Sequence, residues 1–194
     1  MRYLFILTLA SFTLMIGSTA FAHTGIGGVS GFTAGVSHPL FGLDHFLAMI
    51  AVGLWAAQLG GRALWLVPTT FVLVMVLGGI LAHLGLNMPA IETGIGLSVI
   101  VLGLAITLNL NPPIILSIAL VGLFALFHGH AHGAEMPENA SGFAYGLGFA
   151  LATAFLHSVG ILLAWSSTRL ISSLIIRIGG SAITAIGIVL LAGG

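Results

Sequence analysis

His38, Asp44 and His45 fall within eight residues of one another, and so do His128, His130, His132 and Glu135. Imidazole and carboxylate at such spacing are the usual means by which a protein holds a transition-metal ion. The mixed donor set suits Zn, Ni, Co, Cu or Fe, whereas Ca and Mg want oxygen alone. The chain has eight His against four acidic residues and no Cys. Thiolate metal sites, disulfides and c-type haem attachment are therefore excluded. All four basic residues are Arg (Arg2, Arg62, Arg169, Arg177), so there is no Lys to carry a retinal Schiff base.

Helical spacing sorts these side chains. His38 and His45 are two turns apart, which on a continuous helix is one face, and Met49 extends that stripe. Pro39 disfavours helical geometry at the residue before it, so the helix is expected to start at Pro39 with His38 at its mouth. Asp44 lies about 100° round from His45. A charge at the centre of a membrane helix costs about 2.5–3.5 kcal/mol on insertion scales, so Asp44 marks a pathway or a paired site. One such pairing is with His45 itself, the carboxylate orienting the imidazole. His128, His132 and Glu135 follow i, i+4, i+7 and share a face, while His130 points elsewhere, toward water. His83 and His157, each alone on an apolar run, read most simply as hydrogen-bonded or interface-lining residues. His157, set deeper, is also a candidate for an exit step.

The elements that carry these residues belong in a bilayer. Of the 194 residues only 4 % are charged and 59 % are hydrophobic, against about 25 % charged in soluble domains. The mean hydropathy of +1.24 agrees. Net charge is zero with His neutral, leaving no basic patch for nucleic acid. Six apolar stretches run near 31–59, 63–86, 90–108, 112–133, 141–165 and 170–192, each close to the roughly 20 residues that cross a hydrocarbon core. They are continuous rather than alternating, so the expected fold is an all-α membrane bundle of six transmembrane helices. Gly and Ala at four-residue spacing (Gly31 and Gly35, Gly142 and Gly146, Ala150 and Ala154) are expected to let helices pack backbone to backbone. Trp55, Trp65 and Trp165 sit near span ends as interfacial anchors. Arg177 falls inside the last span, where it either snorkels to the cytoplasmic side or pairs internally.

The N-terminus reads as a cleavable signal peptide over residues 1–22. Met1-Arg2 is positive, Leu4 to Ile16 is apolar, and Ala20-Phe21-Ala22 fits a small-x-small cleavage site. Residues 23–194 are then one transmembrane domain whose N-terminal His23, with its α-amine, is a natural chelating pair outside the cytoplasm. Arg62 and Arg169 fall in the first and fifth connections, both cytoplasmic, as the positive-inside rule requires. In that orientation His23, His38, Asp44, His45, His83, Glu92, His128, His130, His132 and Glu135 all gather toward the periplasmic face.

Two segments resemble a known family. The run His38-Pro39-Leu40-Phe41-Gly42-Leu43-Asp44-His45 is similar to the H-x5-DH signature of HupE/UreJ nickel permeases. Phe127-His128-Gly129-His130-Ala131-His132-Gly133-Ala134-Glu135 matches that family's FHGxAHGxE signature at every fixed position. Chain length, signal segment and helix count are similar too. The resemblance implies uptake of Ni²⁺ through the bacterial inner membrane for hydrogenase or urease maturation. It carries functional roles to His38, Asp44 and His45 in the first motif, and to His132 and Glu135, with His128, in the second. Glu92 stands where the family also uses an acidic residue on its third span.

The expectation is therefore a permease, not an enzyme. It has no prosthetic group and no phosphate-binding loop for ATP. Its partners are the lipid bilayer and a divalent metal ion, Ni²⁺ with Co²⁺ and Zn²⁺ as alternatives. His23 and His130 would raise the local metal concentration, and His38, Asp44, His45, Glu92, His132 and Glu135 would bind the dehydrated ion. Two rivals use the same residues differently. One is an intramembrane zinc-dependent hydrolase with Glu135 or Asp44 as general base. The other is a b-type haem protein with two axial His.

Overall fold

The computed structural model describes residues 31–134, 141–170 and 173–193. The expected signal segment, His23 and Glu135 lie outside the described residues. Within them the chain is helical, with no strand. The helices are α1 (Gly31–Phe41), α2 (Leu43–Leu59), α3 (Ala63–His83), α4 (Ile91–Thr107), α5 (Ile114–Ala134), α6 (Gly142–Leu170) and α7 (Ser173–Gly193). Their apolar sequences have no water to supply hydrogen bonds in lipid, so the backbone groups pair along each helix.

Among the described residues four helices are long and apolar enough to cross a membrane: Ala63–His83, Ile114–Ala134, the Gly142–Ser166 part of α6, and Ser173–Gly193. The first predicted span, 31–59, is not one straight helix. It breaks at Gly42, and α1 and α2 are bent by 77° from each other, together making a fifth candidate span. Gly42 takes an extended backbone (φ −76°, ψ 111°) that no helix continues through. The expectation that the helix begins at Pro39 is corrected as well. Pro39 lies inside α1, in its last turns, and the chain breaks three residues later at the glycine. The third predicted span is the short one, at 17 residues.

The helix at the centre is α2, which touches α1, α3, α4, α6 and α7. Its residues from Leu47 to Ala56 are buried on every side, as expected of a helix apolar all round. The closest helix pairs are α3 with α5, α4 with α7, and α6 with both α1 and α2. Several of these contacts require glycine, two of them beside residues of the His motifs and His157. A Cβ on Gly129 would overlap the Met75 backbone, and one on Gly53 would overlap the carbonyl of His157, where Gly160 lies opposite. The small-residue pairs read from the sequence predict packing unevenly. Gly35 meets the Tyr145 backbone, yet Gly146 faces open space.

Polar residues at the helix ends away from the His motifs tie the helices together. Trp55 is buried, not an interfacial anchor, and its Nε1–H donates to the Leu110 carbonyl at 3.1 Å. Trp65 and Trp165 are exposed. Gln58 donates to Ile106 O at 3.1 Å, and Arg177 Nε–H donates to Thr107 O at 2.8 Å. Arg177 thus pairs internally, placing its cation at the C-terminal end of α4, where the helix dipole favours it.

Candidate metal centre

The break at Gly42 is what assembles the site. On a continuous helix His38 and His45 would stand about 10 Å apart along the axis. With the bend, their ring centroids are 5.8 Å apart. From α5, one turn apart, His128 and His132 project toward the same place. His132 packs edge-on against both His38 and His45, at 4.3 Å from each, and His128 lies 4.6 Å from His45. Phe149 of α6 closes the group at 4.0 Å from His132. Four imidazoles from three helices therefore form one cluster. His45, His128 and His132 are buried in it, with relative exposures of 5 %, 0 % and 3 %.

Hydrogen bonds fix how two of these rings face. Asp44 lies in the first turn of α2, where the helix dipole suits a carboxylate. Its Oδ1 accepts from the His45 backbone N–H and pairs with His45 Nδ1, each at 2.7 Å. With Nδ1 carrying the hydrogen, the lone pair of His45 is on Nε2, which has no partner. Asp44 is thus the orienting carboxylate that the sequence raised as one alternative. His128 is held by Ser98 of α4. The Ser98 hydroxyl donates to Ile95 O at 2.6 Å, so at 2.8 Å from His128 Nε2 it is left to accept that ring hydrogen. The lone pair of His128 then falls on Nδ1, again without a partner. His132 has both ring nitrogens unpartnered. Buried polar atoms left unsatisfied cost roughly 1–3 kcal/mol each, and here His45, His128 and His132 carry several of them within one cluster. A cation would satisfy them. The rings pack edge to face, and among the described residues no three His, Asp or Glu side chains stand so that together they could hold a metal ion as they are placed.

The other predicted residues are placed differently. Glu92 is exposed in the first turn of α4 and makes no hydrogen bond or ion pair with the described cluster. What α4 brings instead is Ser98, which the sequence reading overlooked. Its signal was a hydroxyl buried on an apolar helix, within two turns of Glu92. His130 does not meet water. It is 5 % exposed, and its Nε2 bonds the Leu86 carbonyl at 2.6 Å, pinning the segment after α3. His83 is exposed at the rim of a half-open, mostly apolar cleft of about 490 Å³ between α3, α5 and α6, into which His132 also faces.

The His38–His45 segment and His128 and His132 of the second motif therefore come together in space, and the comparisons agree with them. The model of the HupE / UreJ protein family matches residues 11–190. The chain belongs to the HupE/UreJ family. It is similar to Protein HupE of Rhizobium leguminosarum bv. viciae, with 43 % identity over 180 residues, covering 93 % of this chain and 94 % of that one. No solved structure matches the chain. A HupE/UreJ membership and several apolar helices make this a multi-pass membrane protein.

Proposed function

We propose that the chain is a secondary permease that takes up Ni²⁺, with Co²⁺ and Zn²⁺ as competing cargo, from periplasm to cytoplasm across the bacterial inner membrane. The observation that carries the reading is the cluster of His38, His45, His128 and His132, in which His45, His128 and His132 are buried and carry unpartnered ring nitrogens from two separate helices. A resident cofactor wants a rigid, complete sphere. A transported ion wants donors strong enough to replace its water and loose enough to let it go. Rings on α1, α2 and α5 can approach an ion singly and release it when the helices shift.

In this reading all six apolar segments cross the membrane. α4 spans about 25 Å, near the short end of what crosses a bilayer. A cleaved N-terminus would leave His23 periplasmic, where with Glu92 and Glu135 it draws the cation toward the cluster. Asp44 sets the ring of His45 and supplies the negative charge that a dication needs in a low-dielectric interior. The metal delivered would serve hydrogenase or urease maturation, as the family resemblance implies. A zinc hydrolase needs three ligands set around an open position for water, and neither the cluster geometry nor the family match supports it.

The test is accumulation of radioactive nickel by cells making the wild-type protein, His45→Ala or His132→Ala at equal membrane levels. Uptake should collapse in both variants. Accumulation equal to wild type in both would refute the pathway.

A further inference from the structure

Below the cluster, α6 carries an inward-facing column at i, i+4 spacing: Tyr145, Phe149, Thr153 and His157, all buried. Phe149 touches His132 at the top. One turn deeper, Thr153 Oγ1 lies 3.7 Å from the thioether of the fully buried Met75. A further turn down is His157, 1 % exposed, with neither ring nitrogen hydrogen-bonded. Its ring stands edge-on to Phe71 at 5.2 Å, and Phe71 in turn packs against His128 at 5.6 Å. The backbone of His157 lies against Gly53, eight residues along α2 from His45, or about 12 Å deeper. So one phenyl ring separates the four-His cluster from a second buried imidazole nearer the cytoplasmic side.

We infer that His157 is an inner station for the transported divalent cation, which reaches it from the four-His cluster past Phe71, with Met75 and Thr153 beside the route. The inference rests on the permease reading. A buried neutral imidazole has one donor and one acceptor to satisfy, and leaving both unmet has a cost that packing alone does not explain. A single strong donor is what a transient station calls for, since one ligand takes the ion from the cluster without retaining it.

The experiment uses the full chain in proteoliposomes for transport and in detergent for equilibrium Ni²⁺ binding, with His157→Ala, His157→Gln and His157→Cys beside wild type. Maximal transport should fall about tenfold or more in the Ala and Gln variants, while KM and binding at the outer cluster stay within about twofold. His157→Cys, which restores a metal donor of softer character, should recover transport and shift preference from Ni²⁺ toward Cd²⁺. Gln transporting like wild type would overturn the inference, as would a Cys variant with unchanged metal preference. Should His157→Ala fail to fold, the Cys preference decides alone. Wild-type vesicles that move none of Ni²⁺, Co²⁺ or Zn²⁺ would instead remove the permease reading itself, and the inner station with it.

Discussion

A single oxygen of Asp44 holds His45 twice, through the backbone N–H and through ring Nδ1, both at 2.7 Å. The carboxylate thus decides which nitrogen of His45 is left to bind. Asp44→Asn keeps an acceptor at that position but loses the charge. It should retain the ring's orientation and lower metal affinity by about 10- to 100-fold, the usual effect of removing a ligand's supporting partner. Asp44→Ala should lose orientation as well and bind more weakly than Asn. Calorimetric titration of the purified variants with Ni²⁺ checks the order, and an Ala variant binding as tightly as Asn would show that the hydrogen bond does not matter.

Ser98 does for His128 what Asp44 does for His45, without charge. Ser98→Ala strands a ring N–H in a fully buried site, which should lower stability by about 1–3 kcal/mol. Ser98→Thr keeps the hydroxyl and should do better if the extra methyl is accommodated. Thermal melting in detergent reads both. A Ser98→Ala protein melting at the wild-type temperature would mean that His128 is satisfied some other way.

The two-helix contact between α3 and α5 depends on Gly129, where an added Cβ meets the Met75 backbone. Backbone cannot move aside as a side-chain tip can, so Gly129→Ala should separate the helices that carry His128 and Phe71. We expect reduced folded protein in the membrane and a lower melting temperature. Gly146→Ala is the control, since nothing lies within 4 Å of the added methyl. Equal behaviour of the two variants, measured by membrane yield and melting, would contradict the packing argument.

How much of this was legible beforehand follows from the physics of each element. Apolar run length and the near absence of charge were enough for the helical class, because lipid leaves few alternatives. Motif spacing was enough to pair His128 with His132, since a straight helix turns i, i+4 into one face. It set His38 and His45 on one face of a continuous helix, whereas their meeting depends on a bend at Gly42. A glycine in an apolar run signals only permission to break. Glu92 was placed by depth alone, which does not give rotation about the helix axis, and its side chain is exposed in the first turn of α4. The same missing rotation explains why Gly35 packs while Gly146 does not. The burial of His130 was misread because its partner, the Leu86 carbonyl, lies 44 residues away in sequence.

Metal itself should act as a stabilising ligand if the orphaned nitrogens of the cluster are its donors. An ion that binds the folded chain and not the unfolded one adds RT ln(1 + [L]/Kd), about 2.7 kcal/mol at a hundredfold excess over Kd. Wild-type protein stripped with a chelator should therefore melt at a higher temperature as Ni²⁺ is added back. The rise should saturate at one ion per chain if the four-His cluster is the main site. His132→Ala removes the ring that touches both His38 and His45, and should abolish most of the shift. His83→Ala, at the rim of the cleft, should leave it intact. A shift that survives in His132→Ala and vanishes in His83→Ala would move the binding site from the cluster to the cleft mouth.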